Sequence, residues 1–253
     1  MRSAFRKKEP RYPVDWNQFP AGEAIRQAIQ SCCDDFSQRI FGYHFVKLGN
    51  LSVQIPLPKC SIRHHIHQAR IINEQTGVLG KSHELPYVEN SIDGFLLANE
   101  LDFAQDPHQV LREVDRTITQ SGYVIISGFN PYSMTGLGKY LPVKRGNMLH
   151  DARFFSAGRI KDWLQLLGFE IVEQRQILFS MLFFSYQFNV SPKWQEWLNR
   201  YCPWCGSVYV ILARKRVWPM TVVKPKLRLE PRFSPVGASM REVTQIKKCR
   251  SQL

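Results

Sequence analysis

Residues 84–133, ELPYVENSIDGFLLANELDFAQDPHQVLREVDRTITQSGYVIISGFNPYS, decide the fold. Ile92 to Ala98 is a dense apolar run suited to a strand buried on both faces. Asp106-Pro107 supplies an N-cap followed by proline at the first helical position. Val110, Leu111, Val114 and Ile118 then recur at helical spacing, and Ser121-Gly122 is read as the helix end. Tyr123 to Ser127 is again apolar and β-rich. Strand, helix and strand at this spacing form a βαβ unit, with parallel strands and a right-handed crossover expected.

The flanking chain continues the alternation. Upstream, Ile25, Ile29, Cys32 or Cys33, Phe36 and Ile40 place a helix over 21–40, with Gly42 as its C-cap. Phe45 to Val53 reads as a strand and the loop after it, Ile62 to Ala69 as a weaker strand, and Gly77 to Gly80 as a short apolar piece. Downstream, 129–150 reads as a loop-rich insertion. Ser156 caps a helix carrying Ile160, Trp163, Leu164 and Leu167, stopped by Gly168. Phe169 to Val172 is a strand, Trp194 to Tyr201 a helix, and Ser207 to Ala213 a closing strand. The class is α/β, a Rossmann-like fold with a mostly parallel central sheet flanked by helices. The expected organisation is an irregular arm over 1–20, a domain over 21–216 and a basic tail over 217–253. In such sheets a ligand sits beyond the carboxyl ends of the strands. The loops that matter therefore follow Leu48, Gln68 and Ala98, or lie between Gly80 and Leu85.

Composition narrows the class further. The first twenty residues are basic but lack an apolar run, so no ordinary secretory signal is expected. The longest apolar stretch, Ile177 to Val190, is broken by Ser180, Ser185, Tyr186, Gln187 and Asn189 and is shorter than a bilayer span. A soluble cytoplasmic protein is the expectation. The formal charge of +13 is concentrated late: from Arg214 onward stand eleven Lys or Arg against Glu230 and Glu242. Such a tail is a solvated segment or a contact for an anionic partner. Cys202 and Cys205 have ligand-like spacing but no second pair, and Arg63-His64-His65-Ile66-His67 has no carboxylate nearby, so no metal is expected.

Glu84-Leu85-Pro86-Tyr87-Val88-Glu89-Asn90-Ser91-Ile92-Asp93 resembles a signature of the type 11 class I S-adenosylmethionine (SAM)-dependent methyltransferases. The similarity continues through Asp106-Pro107-His108, Leu111-Arg112-Glu113, Gly122 and Val124-Ile125-Ile126, then Gly168-Phe169-Glu170 and Ala213-Arg214-Lys215. It spans roughly residues 42 to 216 and is most specific over 84 to 133, where Gly128 to Ser133 is similar to a small, poorly characterised bacterial subgroup. The resemblance implies SAM as cofactor and methyl transfer to an unidentified acceptor. In the family a glycine-rich turn after the first strand approaches the cofactor's methionine part. An acid ends the second strand, and an Asp follows the third.

This chain departs at those anchors. Lys47-Leu48-Gly49-Asn50-Leu51-Ser52-Val53 keeps only the first glycine, puts lysine for the acid, and adds bulk at Leu51 and Val53. The second strand ends His67-Gln68-Ala69 without an acid, and Lys81 replaces the Asp before the Leu-Pro turn. Each missing anchor removes about 1–3 kcal/mol, offset where another polar group takes its place. By resemblance the cofactor-binding residues are Gly49, Asn50, Gln68, Ser82, Glu84 and Asn99, with Asn99 and Glu100 at the methyl-transfer centre. The alternative is a catalytically inactive relative, a binding module for an acidic protein, RNA or membrane surface.

Overall fold

The computed structural model describes residues 10–133, 135–136, 148–178 and 206–216, all within one compact unit, Met1–Trp218. The expected helix over 194–201, the aromatic run 181–188, Cys202, Cys205 and the 217–253 tail lie outside the described residues. Among the described residues seven strands form one sheet: β1 (His44–Leu48), β2 (His64–Ala69), β3 (Val78–Leu79), β4 (Ile92–Ala98), β5 (Ile118–Phe129), β6 (Phe169–Ile177) and β7 (Val208–Lys215). Their order is β3-β2-β1-β4-β5-β7-β6. The first five run parallel, and β7 is antiparallel to both β5 and β6. The strand order reverses between β1 and β4, so their carboxyl ends flank the switch point.

Helix α1 (Gly22–Ser37) buries Ile25, Ile29, Cys33 and Phe36 against one face of the sheet. It ends at Ser37, five residues before Gly42, and Gln38 is its C-cap rather than the expected glycine. The short helices α2 (Asn50–Val53) and α3 (Glu100–Phe103) follow β1 and β4 at once. Helix α4 (Pro107–Thr117) starts as expected, with the Asp106 side chain accepting from the His108 and Gln109 amides. The described segment between β5 and β6 adds α5 (Met148–Asp151) and α6 (Ala157–Leu166), capped by Ser156. Helices α4 and α6 pack on the opposite face, where Val110, Leu111, Val114, Ile160, Trp163 and Leu164 meet Val46, Phe95, Leu97 and Ile126.

One boundary differs from the sequence reading. Strand β5 begins at Ile118, not after Gly122, so Ser121-Gly122 lies inside the strand. A side chain at Gly122 would strike the Ile118 side chain and the Asp93 carbonyl. The glycine there permits close approach beside the register shift between Ile92 and Gly94.

The 84–93 signature is a scaffold device. Glu113 of α4 accepts from the Leu85 amide at 3.1 Å and pairs with Arg116 at 2.8 Å. Arg116 in turn donates to the carbonyls of Tyr87 (3.1 Å) and Leu85 (3.0 Å). At the amino end of β4 the Asp93 carboxylate accepts from the amides of Tyr43 (2.7 Å) and His44 (3.1 Å), fixing where β1 starts.

The arm carries local structure too. Trp16–Gln18 is a 3-10 turn capped by Asp15. Trp16 and Phe19 are buried in the α1-side core, and Trp16 Nε1 donates to the Leu51 carbonyl at 3.1 Å. Burying two such side chains contributes about 1.5–3 kcal/mol each, enough to hold the arm across the switch point.

Candidate active site

Four turns converge at the carboxyl ends of β1 to β4. Gly49 leaves β1 at φ +96, and α2 starts one residue later. A Cβ at Gly49 would collide with the Glu100 carboxylate and the Tyr12 hydroxyl, so only glycine fits this cradle. The Ser52 hydroxyl donates to the Leu48 carbonyl at 2.5 Å and accepts from the Ala98 amide at 2.7 Å, tying the turn to the end of β4. Asn50 Oδ1 accepts from the amides of Arg70 (3.0 Å) and Ile71 (3.4 Å), which shapes the turn after β2. Its Nδ2 is buried and lacks a partner among the described residues, as is Gln68 Oε1. Unpaired buried polar atoms cost about 1–3 kcal/mol each, and here both stand at the switch point.

Glu100 occupies the centre. It is 3 % exposed; Ser82 donates to Oε1 and Tyr12 to Oε2. Burial pushes its carboxyl above the ordinary range, while the Ser82 and Tyr12 hydroxyls and the Arg70 charge pull it down. Burial, and next the Glu100 charge, holds the Tyr12 phenol well above its usual value. The Arg70 guanidinium lies 4.8 Å from the centre of the Tyr12 ring. Beside Glu100, Asn99 adopts the left-handed conformation at φ 52. Its amide oxygen accepts from the Ser127 hydroxyl at 3.0 Å and its Nδ2 donates to Asp102 at 3.1 Å. Asp102 also accepts from the Phe129 amide at 2.9 Å, so Asn99 is locked between β4 and β5.

An open cleft of about 480 Å³ continues outward from Tyr12, lined by Arg70, Ile71, Leu79, Gly80 and Lys81. On the other side of the arm a groove of about 600 Å³ runs between Val14-Asp15 and the 72–75 turn.

The structure brings Gly49, Asn50, Gln68, Ser82, Asn99 and Glu100 to one place. Glu84 stands apart: it is exposed, and among the described residues no hydrogen bond links its side chain to the site. Leu51 and Val53 do not fill the space over Gly49; both are buried, Leu51 in the α1-side core. Lys47 points away from the turn, buried on the α1 face near Cys33 and Cys60. The sequence reading missed Tyr12, Arg70 and Asp102. Tyr12 stands in an aperiodic, proline-containing segment 88 residues from its partner, and no local signal marks it. Among the described residues His64, His65 and His67 bond to the His44 ring and to the carbonyls of Ile62 and Gln75.

Residues 61–126 match the family model of a methyltransferase domain. The chain is 34% identical over 217 residues to the uncharacterized protein YafS of Escherichia coli K12, covering 83% of this chain and 84% of that one. The chain belongs to one family with YafS and carries a methyltransferase domain. A SAM-dependent methyltransferase from Thermotoga maritima shares the fold at TM-score 0.53 and 21% identity, over 76% of this chain and 92% of that one. So does the [4+2]-cyclase SpnF, at TM-score 0.51 and 13% identity, over 85% and 89%. The turn after β1 in this shared fold carries a single glycine, Gly49. No helix among the described residues is long and apolar enough to cross a membrane.

Proposed function

We propose that the chain binds SAM at the carboxyl ends of β1 and β4 and transfers its methyl group to an acceptor reached from the open side of the cleft. The observation that carries this reading is the Gly49 cradle, with two buried polar atoms beside it, Asn50 Nδ2 and Gln68 Oε1, that have no partner among the described residues. These residues fit the cofactor in parts. Ile71 and Leu79 offer apolar surface on the cleft for a flat base, and Gln68 and Asn50 offer a free acceptor and donor for ribose hydroxyls. The cradle takes the amino-acid end once the Tyr12 hydroxyl withdraws from it.

When bound, SAM supplies a sulfonium whose methyl group is already activated for transfer. The protein's contribution is position and exclusion of water. Ser52 and Asn50 fix the turns, and the Asn99–Ser127–Asp102 set holds the end of β4 against β5. Asn99 has its amide committed to Ser127 and Asp102, and so acts as a positioning residue rather than a base. Calorimetric titration with SAM and with S-adenosylhomocysteine tests the reading. Dissociation constants in the micromolar range are expected, and no binding below millimolar for either compound would end it.

A second reading keeps the framework without methyl transfer, as a module for an acidic protein, RNA or membrane surface. The Tyr12–Glu100 contact over Gly49 favours it, because it closes the cradle with the protein's own atoms.

A further inference from the structure

The carboxylate on Gly49 is unusual in its surroundings. Two of the three positions expected to carry acids, at the start of the glycine turn and at the end of β2, hold Lys47 and Gln68, and the third holds Lys81. Lys47 is buried on the α1 face, and Gln68 is neutral. Among the described residues Glu100 is the carboxylate that stands against the cradle, with Oε1 and Oε2 both aimed at hydroxyl groups. Burial raises its carboxyl against the opposing pull of the Ser82 and Tyr12 hydroxyls and the Arg70 charge, so a further donor in direct contact would favour the carboxylate.

We infer that Glu100 anchors the amino group of the cofactor: its carboxylate, held over Gly49 by Ser82 and Tyr12, receives the α-ammonium of SAM, and the Tyr12 hydroxyl is the placeholder that this ammonium displaces. The inference rests on the SAM reading above. Three chemical points select the ammonium over the sulfonium. An ammonium donates three hydrogen bonds, and each carboxylate oxygen has a lone pair beyond the one already used. A sulfonium donates none. A carboxylate oxygen set against the activated methyl would also become a methyl acceptor itself, whereas one on the ammonium is held away from it. Gly49 is the place where a backbone without a side chain lets the ammonium and its partner meet. Ser82 remains on Oε1 throughout, so the carboxylate keeps its orientation when Tyr12 leaves Oε2.

The test compares two adenosyl compounds that differ in the amino-acid part. 5′-Methylthioadenosine carries the nucleoside and sulfur alone, while S-adenosylhomocysteine adds the ammonium and carboxylate. Wild-type protein should bind S-adenosylhomocysteine more tightly. Glu100→Gln should weaken S-adenosylhomocysteine by about 10–100-fold, the scale of a lost charge-assisted hydrogen bond, and leave methylthioadenosine within about twofold. Equal weakening of both compounds, or of neither, overturns the inference. Binding of neither compound to wild-type protein overturns the SAM reading, and the inference with it. Tyr12→Phe provides an independent arm should Glu100→Gln lose its cooperative thermal transition. Removing the phenol oxygen frees Oε2, so S-adenosylhomocysteine should bind about 3–10-fold tighter, with methylthioadenosine unchanged. Unaltered or weaker S-adenosylhomocysteine binding in that variant counts against the role.

Discussion

Lys47 shows what a single residue costs when its position keeps the strand but changes the charge. It is 4 % exposed, on the α1 face of β1, and its ammonium has no ion pair or hydrogen bond among the described residues. Burial lowers its ammonium to about 8, with the nearby Cys60 and Cys33 thiols acting weakly the other way. The unfolded chain would hold that proton up to about 10.4. Below pH 8 both states are protonated and the native state carries the full penalty of a buried charge. Between about 8 and 10.4 the unfolded state binds more protons, so this residue makes stability rise with pH. Lys47→Met should therefore stabilise the fold at pH 7 by about 1–3 kcal/mol, the usual gain when an apolar side chain replaces a buried ion. The gap between variant and wild type should narrow as pH rises from 8 to 10. Urea titrations at both ends of that range measure it; a variant less stable than wild type at pH 7 would show that the ammonium is satisfied in solution.

Among the elements, α4 and the turn before β4 form the unit that the signature encodes. Leu85, Tyr87 and Asp93 are legible in sequence because each acts through a neighbour that is itself part of the pattern. Glu113 and Arg116 take the turn's amide and two carbonyls, and Asp93 takes the amides that open β1. Arg116→Met removes two bonds to backbone carbonyls together with the pair to Glu113. The pair is partly exposed and adds little alone, so most of the expected loss of about 1–3 kcal/mol comes from the carbonyls. At this chain length that lowers the melting temperature by several degrees. Arg116 holds the Glu113 carboxyl below its ordinary range, with the Leu85 amide helping. Such a group stabilises the fold above the ordinary carboxyl pKa and loses that contribution as pH falls through its depressed value. The difference in melting temperature between wild type and Arg116→Met should accordingly be full at pH 7 and shrink below pH 4. A difference that does not change with pH would assign the whole effect to the carbonyl bonds and the packing of the arginine stem, with nothing from the Glu113 pair.

At the scale of the whole molecule, regular elements were legible from the sequence and long-range contacts were not. The strands and the α4 cap follow from apolar runs and from Asp106-Pro107, which are local facts. Gly122 misled because glycine ends helices and also permits close approach within strands, and only the Ile118 and Asp93 neighbours distinguish the two. Tyr12 on Glu100 joins residues 88 apart through an aperiodic arm, so no window of sequence contains it. Charge is the one global property that sequence alone supplies, and its distribution leads to a test of the anionic-partner reading. Many cations of the domain are matched: Arg26 pairs with Glu23, Arg39 and Arg175 with Glu173, Lys215 with Asp115 and Arg216 with Glu170. Residues 217–253 contribute eight Lys or Arg against two Glu, so removing them lowers the formal charge from +13 to +7. If this segment carries an anionic contact, its deletion should move elution from a heparin column to markedly lower salt. It should also flatten the dependence of retention on salt, because fewer counterions are released per molecule bound. The domain should keep its melting temperature within about 2 °C if the segment serves only the anionic contact. Elution at the same salt as the full chain would place the anion affinity on the domain and leave the tail without that role.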